Sequence, residues 1–554
     1  MVIAVKPTNE LAPSYDAIVV GSGYGGGVSA SRLARMGLRV AVIEQGRLWR
    51  PGDFPTTIRS RRKQMRLTGR IPTTGDPSGL YSLSVGKGLT VFAATGLGGS
   101  SLINAGVTLR PDFSRLRNFG WPDPVLDDGK FEKAFGRAET MLTPKSAPKP
   151  ERFSKFRGMK SLADASERDV TAPPMTIAHQ PGRNPSGVMQ YACRYCGDCW
   201  SGCNVGAKNT VGITYIPDAV DHGADVVCEA RVDQIAKADD GSWEVLVQDL
   251  SGSKSQRWIK AQNLVLAAGS LGTTELLLRA QKRGLALSDR LGKGFSANGD
   301  DMVFVTELAE PVHAVATGYP SQAPRKVPLV GPHSMALIDA GDPGAPVWVH
   351  DGTMLTVMAS LAPLKAMLEF RPGRLMRLAR GGRYGDELAR TQVYYIVSQD
   401  DGSGELKLQR DRVVVDWPDY SKAPARVEAE RRVRDMVGAL GQGQFMTNPF
   451  AMSAFGGNRI IAHPLGGAGM GVTASNGVVA HDGRVFDPSG GQGAVHEGLY
   501  VLCSAAVPTS IGVSPLLSIT ALAERAMMLK AERMGRTLDV ATAPAKRPER
   551  DAAM

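Results

Sequence analysis

The pattern of apolar and polar positions near the start of the chain predicts a strand, a helix and a second strand. Residues 17–20 are a continuous apolar run bounded by glycines, as is typical of a strand buried on both faces of a parallel sheet. Residues 28–36 follow as a helix that ends at Gly37, and residues 39–43 return as a second strand. This order predicts a βαβ unit at the start of an α/β fold.

Three glycines separate the first predicted strand from the helix. Gly21, Gly23 and Gly26 form the pattern G-x-G-x-x-G, which permits a tight turn and a close approach of the backbone to a pyrophosphate. N–H groups at the start of the helix favour the phosphates. Glu44 ends the second strand, where an acid can accept hydrogen bonds from a ribose. Because all of these features occur in register, they predict a dinucleotide site.

Later segments predict further strands. Residues 225–233 and 242–248 alternate like the strands of a hairpin, and residues 263–268 are a buried run followed by Gly269 and a helix. Between residues 301 and 459, period-two segments such as VWVHDGTMLTVMASLAPL predict antiparallel strands.

A second glycine cluster, TGLGGSSLINAG, spans residues 95–106. It combines backbone freedom with the hydroxyls of Ser100 and Ser101 and the amide of Asn104. Such a set could wrap a second part of the same cofactor.

Five segments resemble one enzyme family. They are EQGRLWRPG, GLGGSSLIN, AAGSLGTTELLLRA, HPLGG and GVSPLLSITALAERA, in that order along nearly the whole chain. The sequence resembles the glucose-methanol-choline (GMC) flavoprotein oxidoreductases and, within them, the cholesterol oxidase branch. The resemblance implies FAD as the cofactor.

The resemblance also implies the domain organisation. We expect an α/β fold with a discontinuous, Rossmann-like FAD-binding domain and an α+β substrate domain built on an antiparallel sheet. The expected ranges are 14–115, 207–300 and 460–535 for the FAD-binding domain, 116–206 and 301–459 for the substrate domain with a Cys-rich loop at 193–203, and 536–554 for a tail that is predicted to be disordered.

By the same resemblance, the cofactor contacts fall on both glycine segments and on a few later positions. The implied FAD-binding residues are Gly21, Gly23, Tyr24, Gly25, Gly26, Glu44, Gly98, Gly99, Ser101, Asn104, Val232, Ala268, Gly269 and Gly512.

Oxidation of an alcohol by a flavin requires a base beside the hydroxyl group and a carbinol hydride aimed at flavin N5. His463, in HPLGG, matches the family's active-site histidine and is the predicted base. Ser514 is predicted to position the substrate hydroxyl, and Asn104 is expected at the edge of flavin and substrate.

Three positions depart from the cholesterol oxidase pattern. Ser514 stands where that branch has an asparagine, and Cys503 stands where the family commonly has an aspartate. An approximate alignment places Ser360 where that branch has a carboxylate on a substrate-domain strand. That carboxylate serves a double-bond shift, so the departures put isomerisation in doubt more than hydride transfer.

Four of the six cysteines lie close together in CRYCGDCWSGC. Cys193, Cys196, Cys199 and Cys203 have the spacing C-x2-C-x2-C-x3-C, which matches a run that ligates iron–sulfur clusters, although Asn204 replaces the usual proline. Three interpretations stay open: an iron–sulfur cluster, a structural zinc ion, and reduced thiols that pack a loop.

Composition and charge limit the classes of partner that the protein is expected to bind. The 554 residues carry a formal net charge of +11, but the basic residues are dispersed among acids, so no nucleic-acid partner is expected. No secretory signal is recognisable, which predicts a cytoplasmic protein. Two arginine-rich segments, 59–70 and 371–390, are interpreted as solvated faces. The first could instead be a rim around a substrate mouth that meets an apolar or anionic surface, and the second a lid that touches a membrane surface.

Together these features predict an FAD-dependent oxidoreductase acting on the CH–OH group of a bulky apolar alcohol, sterol-like, terpenoid or aromatic. The cysteines favour electron transfer to an acceptor other than oxygen, such as a protein or a quinone. The alternatives are a peroxide-forming oxidase, flavin-assisted elimination or isomerisation, and a flavin electron-transfer subunit without alcohol chemistry.

Overall fold

The computed structural model describes residues 3–321, 323–324, 326–342, 345–368, 372–447 and 458–538. Most of the tail that was predicted to be disordered, residues 539–554, lies outside this range.

The described chain is rich in short strands. In chain order they are β1 Ser14–Val20, β2 Val40–Ile43, β3 Met65–Gly69, β4 Thr74–Gly75, β5 Tyr81–Val85, β6 Leu89–Ala94, β7 Val170–Thr171, β8 Gly182–Arg183, β9 Met189–Gln190, β10 Asp225–Val227, β11 Ala230–Lys237, β12 Trp243–Asp249, β13 Gln256–Leu266, β14 Asp301–Thr306, β15 Leu337–Asp339, β16 Val347–Gly352, β17 Gln392–Ser398, β18 Glu405–Gln409, β19 Arg412–Asp416, β20 Gln444–Thr447, β21 Arg459–Ile461, β22 Arg484–Phe486 and β23 Val495–Val501.

The α-helices alternate with these strands. In chain order they are α1 Tyr24–Arg35, α2 Ile58–Lys63, α3 Phe113–Asn118, α4 Asp123–Asp127, α5 Lys130–Leu142, α6 Ser154–Ala165, α7 Tyr215–Asp221, α8 Gly269–Lys282, α9 Thr356–Leu368, α10 Pro372–Gly381, α11 Asp386–Ala389, α12 Pro424–Leu440 and α13 Leu516–Arg533.

The largest sheet has the strand order β10-β2-β1-β13-β12-β11. β23 also belongs to it and pairs with the C-terminal end of β13. β10, β2, β1, β13 and β23 are parallel, whereas β11, β12 and β13 form antiparallel pairs. The buried run predicted at 17–20 lies in β1, whose residues from Ala17 to Val19 are fully buried. The predicted α/β fold with a Rossmann-like unit is confirmed.

A buried ion pair fixes the helices on one face of this sheet. Arg32 of α1 and Glu524 of α13 are both fully buried, and their side chains approach to 2.6 Å. Tyr215 of α7 donates a hydrogen bond of 2.9 Å to the same carboxylate. α13 therefore docks on the N-terminal unit, and the loop that carries Ser514 ends at this anchored helix.

A second sheet, in the order β20-β14-β17-β16-β15-β7, is antiparallel at every pair of neighbouring strands within the described residues. Alternate residues point to opposite faces, as strand geometry requires. Tyr394 and Ile396 pack with α6 and α12. Val393 and Tyr395 point the other way, towards α9 and α10. The predicted α+β domain with an antiparallel sheet is confirmed.

The strand prediction for VWVHDGTMLTVMASLAPL is right only in its first part. β16 ends at Gly352, and the rest of the segment forms α9. A short apolar run fits a strand or a buried helix equally well, so periodicity alone could not separate the two. The domain boundaries themselves stay a prediction, and α5, which falls in the predicted substrate domain, packs in the core that contains α13.

The arginine-rich segments are only partly solvated. In 371–390, Arg374 and Arg377 pair with Glu387 at 2.9 and 2.7 Å. Met367 and Met376 are each about half exposed on this helical hairpin. In the described part of the chain, no helix has the length and apolar character needed to span a membrane.

Candidate active site

The first glycine segment forms the turn that the sequence predicts. Gly21 and Gly23 connect β1 to α1, and Tyr24, Gly25 and Gly26 form the first turn of that helix. Gly21 has φ of +91°, and a Cβ there would lie 2.5 Å from the carbonyl oxygen of Ala267. A side chain at this position would push the turn away from β13, so the turn depends on glycine.

Glu44 follows β2 and is almost completely buried. Its carboxylate accepts hydrogen bonds from the Ser22 hydroxyl at 2.6 Å and from the N–H groups of Ser22 and Gly46 at 3.1 and 2.8 Å. Burial raises the pKa of Glu44, although these donors act in the opposite sense. The carboxylate thus stabilises the glycine turn through hydrogen bonds. Its contact with a ribose stays a prediction.

The second glycine segment touches the first. Gly99 has φ of +57°, and a Cβ there would lie 2.7 Å from Cα of Gly23. Gly98 precedes it in a left-handed conformation. Ser101 is buried, donates to the Gly98 carbonyl at 2.6 Å and accepts from the N–H of Val211 at 3.0 Å. Ser101 therefore shapes this segment with a hydroxyl that already has two partners.

Asn104 joins the two segments through a side chain. Its amide Nδ2 donates to the Tyr24 hydroxyl at 2.6 Å, whereas no described residue donates to its buried Oδ1. Burial raises the pKa of Tyr24, so this phenol stays protonated. A buried carbonyl oxygen without a donor is costly, and a bound group with an N–H or O–H would satisfy it.

The remaining cofactor predictions lie on the main sheet and at the start of α8. Val232 is a buried residue of β11 opposite Val247. The N–H of Ala268 donates to the Thr273 hydroxyl at 3.1 Å, and Gly269 begins α8 with φ of +73°. The same hydroxyl lies 3.3 Å from the sulfur of Cys503, so the position that departs from the family pattern packs against this helix start.

His463 is held by an aspartate. Its Nδ1 lies 2.8 Å from Oδ1 of Asp300, and the N–H groups of His463 and Ala462 both donate to Oδ2 at 2.9 Å. Asp300 is completely buried, whereas the His463 side chain is 19% exposed. With Nδ1 donating to the carboxylate, Nε2 carries a lone pair and can accept a proton.

Asn298, two residues before Asp300, holds the loop that precedes Ser514. Nδ2 of Asn298 donates to the Val513 carbonyl at 2.8 Å, and its Oδ1 accepts from the N–H groups of Ile511 and Gly512 at 3.0 and 3.2 Å. Ser514 follows this loop and is buried. Asn298 and Asp300 therefore connect the two predicted catalytic positions of the C-terminal region.

Aromatic rings form a wall beside His463. The ring of Tyr395 lies edge-on at 5.7 Å from the His463 ring, and its hydroxyl lies 3.4 Å from Nδ1. Trp200, from the Cys-rich loop, meets Tyr395 edge-on at 5.6 Å and stacks on His333 at 4.3 Å. The Cys-rich loop thus contributes a side chain to the surroundings of the predicted base.

The four clustered cysteines line one cavity together with Lys208. Burial raises the pKa of the Cys193, Cys196 and Cys199 thiols. Among the residues that the structure describes, no three His, Cys, Asp or Glu side chains are arranged to hold a metal ion. The iron–sulfur and zinc interpretations therefore have no support from the geometry.

Two buried basic side chains, Lys208 and Arg61, connect the Cys-rich loop to neighbouring segments. Lys208 Nζ donates to the carbonyls of Asn104 and Cys199 at 2.8 and 3.0 Å, and burial lowers its pKa to about 8. Arg61 lies 3.1 Å from Asp198 and donates to the Thr356 hydroxyl at 2.7 Å. The interpretation of Arg61 as part of a solvated face is wrong, since its side chain is only 7% exposed.

Ser360 is not on a strand. It lies in α9, and its hydroxyl donates to the Thr356 carbonyl at 2.8 Å, one helical turn earlier. The alignment that placed it on a substrate-domain strand is therefore wrong, because the strand of this region ends at Gly352.

Sequence reasoning missed Asp300, Asn298 and Tyr395. Asp300 lies 163 positions before His463, and nothing in the spacing of the two residues signals a contact. The acidic pair in ANGDD was the one available signal, since an acid at the start of an apolar strand needs a partner.

Comparison with known proteins now identifies the family. The models described as GMC oxidoreductase match residues 15–296 and 402–523. The chain belongs to the GMC oxidoreductase family. It is an enzyme, as the sequence predicted, and the resemblance to a cholesterol oxidase branch agrees with the relatives that follow.

Two curated relatives are similar over nearly the whole length. A cholesterol oxidase of Acinetobacter baumannii is 26% identical, with 93% of this chain and 94% of that protein covered. A cholesterol oxidase of Mycobacterium tuberculosis is 27% identical, with 94% and 91% covered. A long-chain-alcohol oxidase of Arabidopsis thaliana is 25% identical, with 92% and 66% covered.

Solved structures support the fold. A fungal aryl-alcohol oxidase has a TM-score of 0.61 at 15% identity, with 95% of this chain and 100% of that chain covered. Pyridoxine 4-oxidase from Mesorbium loti has a TM-score of 0.57 at 15% identity, with 93% and 99% covered.

The geometry fits the FAD that GMC oxidoreductases bind. The two glycine segments bring bare backbone together at Gly23 and Gly99, where no side chain blocks a ligand. Oδ1 of Asn104 is buried and receives no hydrogen bond from the described residues. The N-terminus of α1 follows this turn and offers N–H groups to a diphosphate.

Proposed function

We propose that this enzyme oxidises the CH–OH group of a bulky apolar alcohol. The observation that carries the proposal is the pair formed by His463 and Asp300, in which the carboxylate fixes one imidazole nitrogen and leaves the other as a base. The curated relatives named above are oxidases of sterols and long-chain alcohols, which supports an alcohol as the substrate.

The residues of the candidate site have different roles in the proposed alcohol oxidation. The two glycine segments and Asn104 would hold FAD, which would supply the acceptor for the carbinol hydride. Nε2 of His463 accepts the proton of the substrate hydroxyl, and Asp300 stabilises the imidazolium that results. Ser514 donates a hydrogen bond to the substrate oxygen and holds it beside His463.

The substrate class follows from the face of the second sheet that lies under α9 and α10. Met302, Phe304 and Tyr395 project from this face and pack with apolar residues of the two helices. Apolar residues of this kind, next to the Tyr395 ring that contacts His463, favour a sterol-like, terpenoid or aromatic body over a sugar, because burial of apolar surface supplies the binding energy.

The electron acceptor separates two candidate functions. The sequence favours an acceptor other than oxygen, such as a protein or a quinone, on the basis of the cysteine spacing alone. The names of the relatives favour a peroxide-forming oxidase. One hydrogen peroxide per turnover in air would select the oxidase, whereas reduction of a dye or a quinone without peroxide would select the dehydrogenase.

An anaerobic panel of alcohols tests the proposal. Cholesterol, a terpenoid alcohol, benzyl alcohol and 1-dodecanol are mixed with the FAD-loaded protein while the flavin absorbance is followed. We expect at least one to bleach the flavin and to yield a product lighter by two hydrogen atoms. A flavin electron-transfer subunit would show no bleaching with any of them, and an elimination or isomerisation would leave no two-hydrogen loss.

A further inference from the structure

A second imidazole contacts the same tyrosine ring as His463. His350 is in β16, paired with Tyr395 of β17, and is 1% exposed. Directly paired residues of antiparallel strands project on the same face, so His350 points with Tyr395 towards α9 and α10. The Tyr395 ring contacts both imidazoles, with centroids 6.4 Å from His350 and 5.7 Å from His463.

His350 has an unsatisfied polar atom. Its Nε2 is buried and has no hydrogen-bond partner among the residues that the structure describes. Neighbours on this face, such as Phe304, Val393 and Val397, are apolar and offer it none. A buried nitrogen without a partner is costly to the fold, which makes it a candidate contact for a bound polar group.

The imidazole of His350 is neutral. Burial lowers its pKa to about 3, and the positive charge that His463 can carry acts in the same direction. A neutral imidazole can donate to a substrate oxygen without adding a charge to an apolar compartment.

We propose that His350 is a second substrate-contacting residue, whose Nε2 hydrogen-bonds the oxygen of the bound alcohol opposite His463. The inference rests on the proposed alcohol oxidation and deepens it. His463 removes the hydroxyl proton, while His350 holds the oxygen and remains bound to the carbonyl oxygen of the product. His350 is thus a catalytic residue contributed by the second sheet, far in sequence from the C-terminal base.

Three variants separate this role from a structural one. His350→Phe and His350→Leu remove both ring nitrogens, and His350→Gln keeps a hydrogen-bonding group. His496→Gln is the matched control, because His496 is also buried, with its Nδ1 3.5 Å from Asp487 and not hydrogen-bonded in the described part of the chain, but packs on Trp243 in the first sheet. FAD content and Tm are recorded for each variant.

The first measurement is anaerobic flavin reduction by whichever alcohol of the panel reduces the wild type. We expect kcat/KM to fall about tenfold or more in His350→Phe, to stay within about fivefold of wild type in His350→Gln, and to be unchanged in His496→Gln. Wild-type kcat/KM in an FAD-loaded His350→Phe or His350→Leu protein would overturn the inference. Absence of reduction in the wild type would instead overturn the proposed function.

The second measurement uses ligands that cannot react. 1-Methylcyclohexanol has a hydroxyl but no carbinol hydrogen, and methylcyclohexane lacks the hydroxyl. Their binding is followed by perturbation of the flavin spectrum. We expect His350→Leu to weaken binding of the alcohol about tenfold and to leave binding of the hydrocarbon unchanged. Equal effects on both ligands would contradict a contact between His350 and the hydroxyl oxygen.

Discussion

The carboxylate of Asp300 and the imidazole of His463 lie 2.8 Å apart, and this contact determines what the histidine can do. Two backbone N–H groups occupy the other carboxylate oxygen, so the aspartate cannot turn away. Nδ1 of His463 is thereby fixed as a donor, and Nε2 is available to take a proton. The base is oriented before any substrate arrives.

Asp300→Asn should remove this orientation. An asparagine that keeps its carbonyl towards the two backbone N–H groups turns its NH2 towards Nδ1, which then becomes an acceptor and leaves the proton on Nε2. We expect the limiting rate of anaerobic flavin reduction to fall about 100-fold, with FAD still bound.

The neighbouring aspartate provides the control. Asp301 is also buried, but it pairs with Arg426 and Arg459 and not with His463. Asp301→Asn should lower the Tm and leave the limiting rate of the folded protein near that of wild type. An equal loss of rate in both variants would show that the effect of Asp300 is structural.

Gly99→Ala should weaken FAD binding. The added Cβ would lie 2.7 Å from Cα of Gly23, and alanine disfavours φ of +57° by about 1–2 kcal/mol. We expect an increase of about tenfold or more in the Kd for FAD, measured by fluorescence titration of the apoprotein. Gly136→Ala in α5 is the control, because its Cβ would meet no atom within 4 Å. Equal affinity in the two variants would contradict binding of FAD by the two glycine segments.

Arg61→Met should destabilise the protein. It leaves buried Asp198 without its cation, and such a loss costs about 3–5 kcal/mol of unfolding free energy. Arg62→Met is the matched control, since Arg62 is exposed on the same helix. Denaturant unfolding of the two variants measures the difference, and similar midpoints would show that the contact of Arg61 with Asp198 carries no net stability.

The local parts of the fold could be predicted from the sequence, whereas contacts between distant residues could not. β1, the glycine turn, α1 and Glu44 follow one another within a short stretch, so periodicity and turn chemistry specify them. Arg61 looked like one of many solvated charges because its partner, Asp198, lies 137 positions away.

In the candidate site, too, residues within local motifs could be predicted and contacts between distant residues could not. His463 was recognisable from HPLGG, and Asn104 from its glycine-rich context. Asp300 and His350 were not, since an acid just before a strand or a histidine within one gives no indication of what it faces until the sheet is assembled. Ser360 was misplaced because the apolar segment that contains it suits a strand as well as a helix.

The most direct test of the account compares wild type with His463→Ala in anaerobic stopped-flow reduction of bound flavin by an active alcohol. We expect the variant to retain FAD and to lose between about 100-fold and 10,000-fold in the limiting rate, because no other group is placed by Asp300 to take the hydroxyl proton. An FAD-loaded His463→Ala protein that is reduced at the wild-type rate would contradict the assignment of His463 as the base.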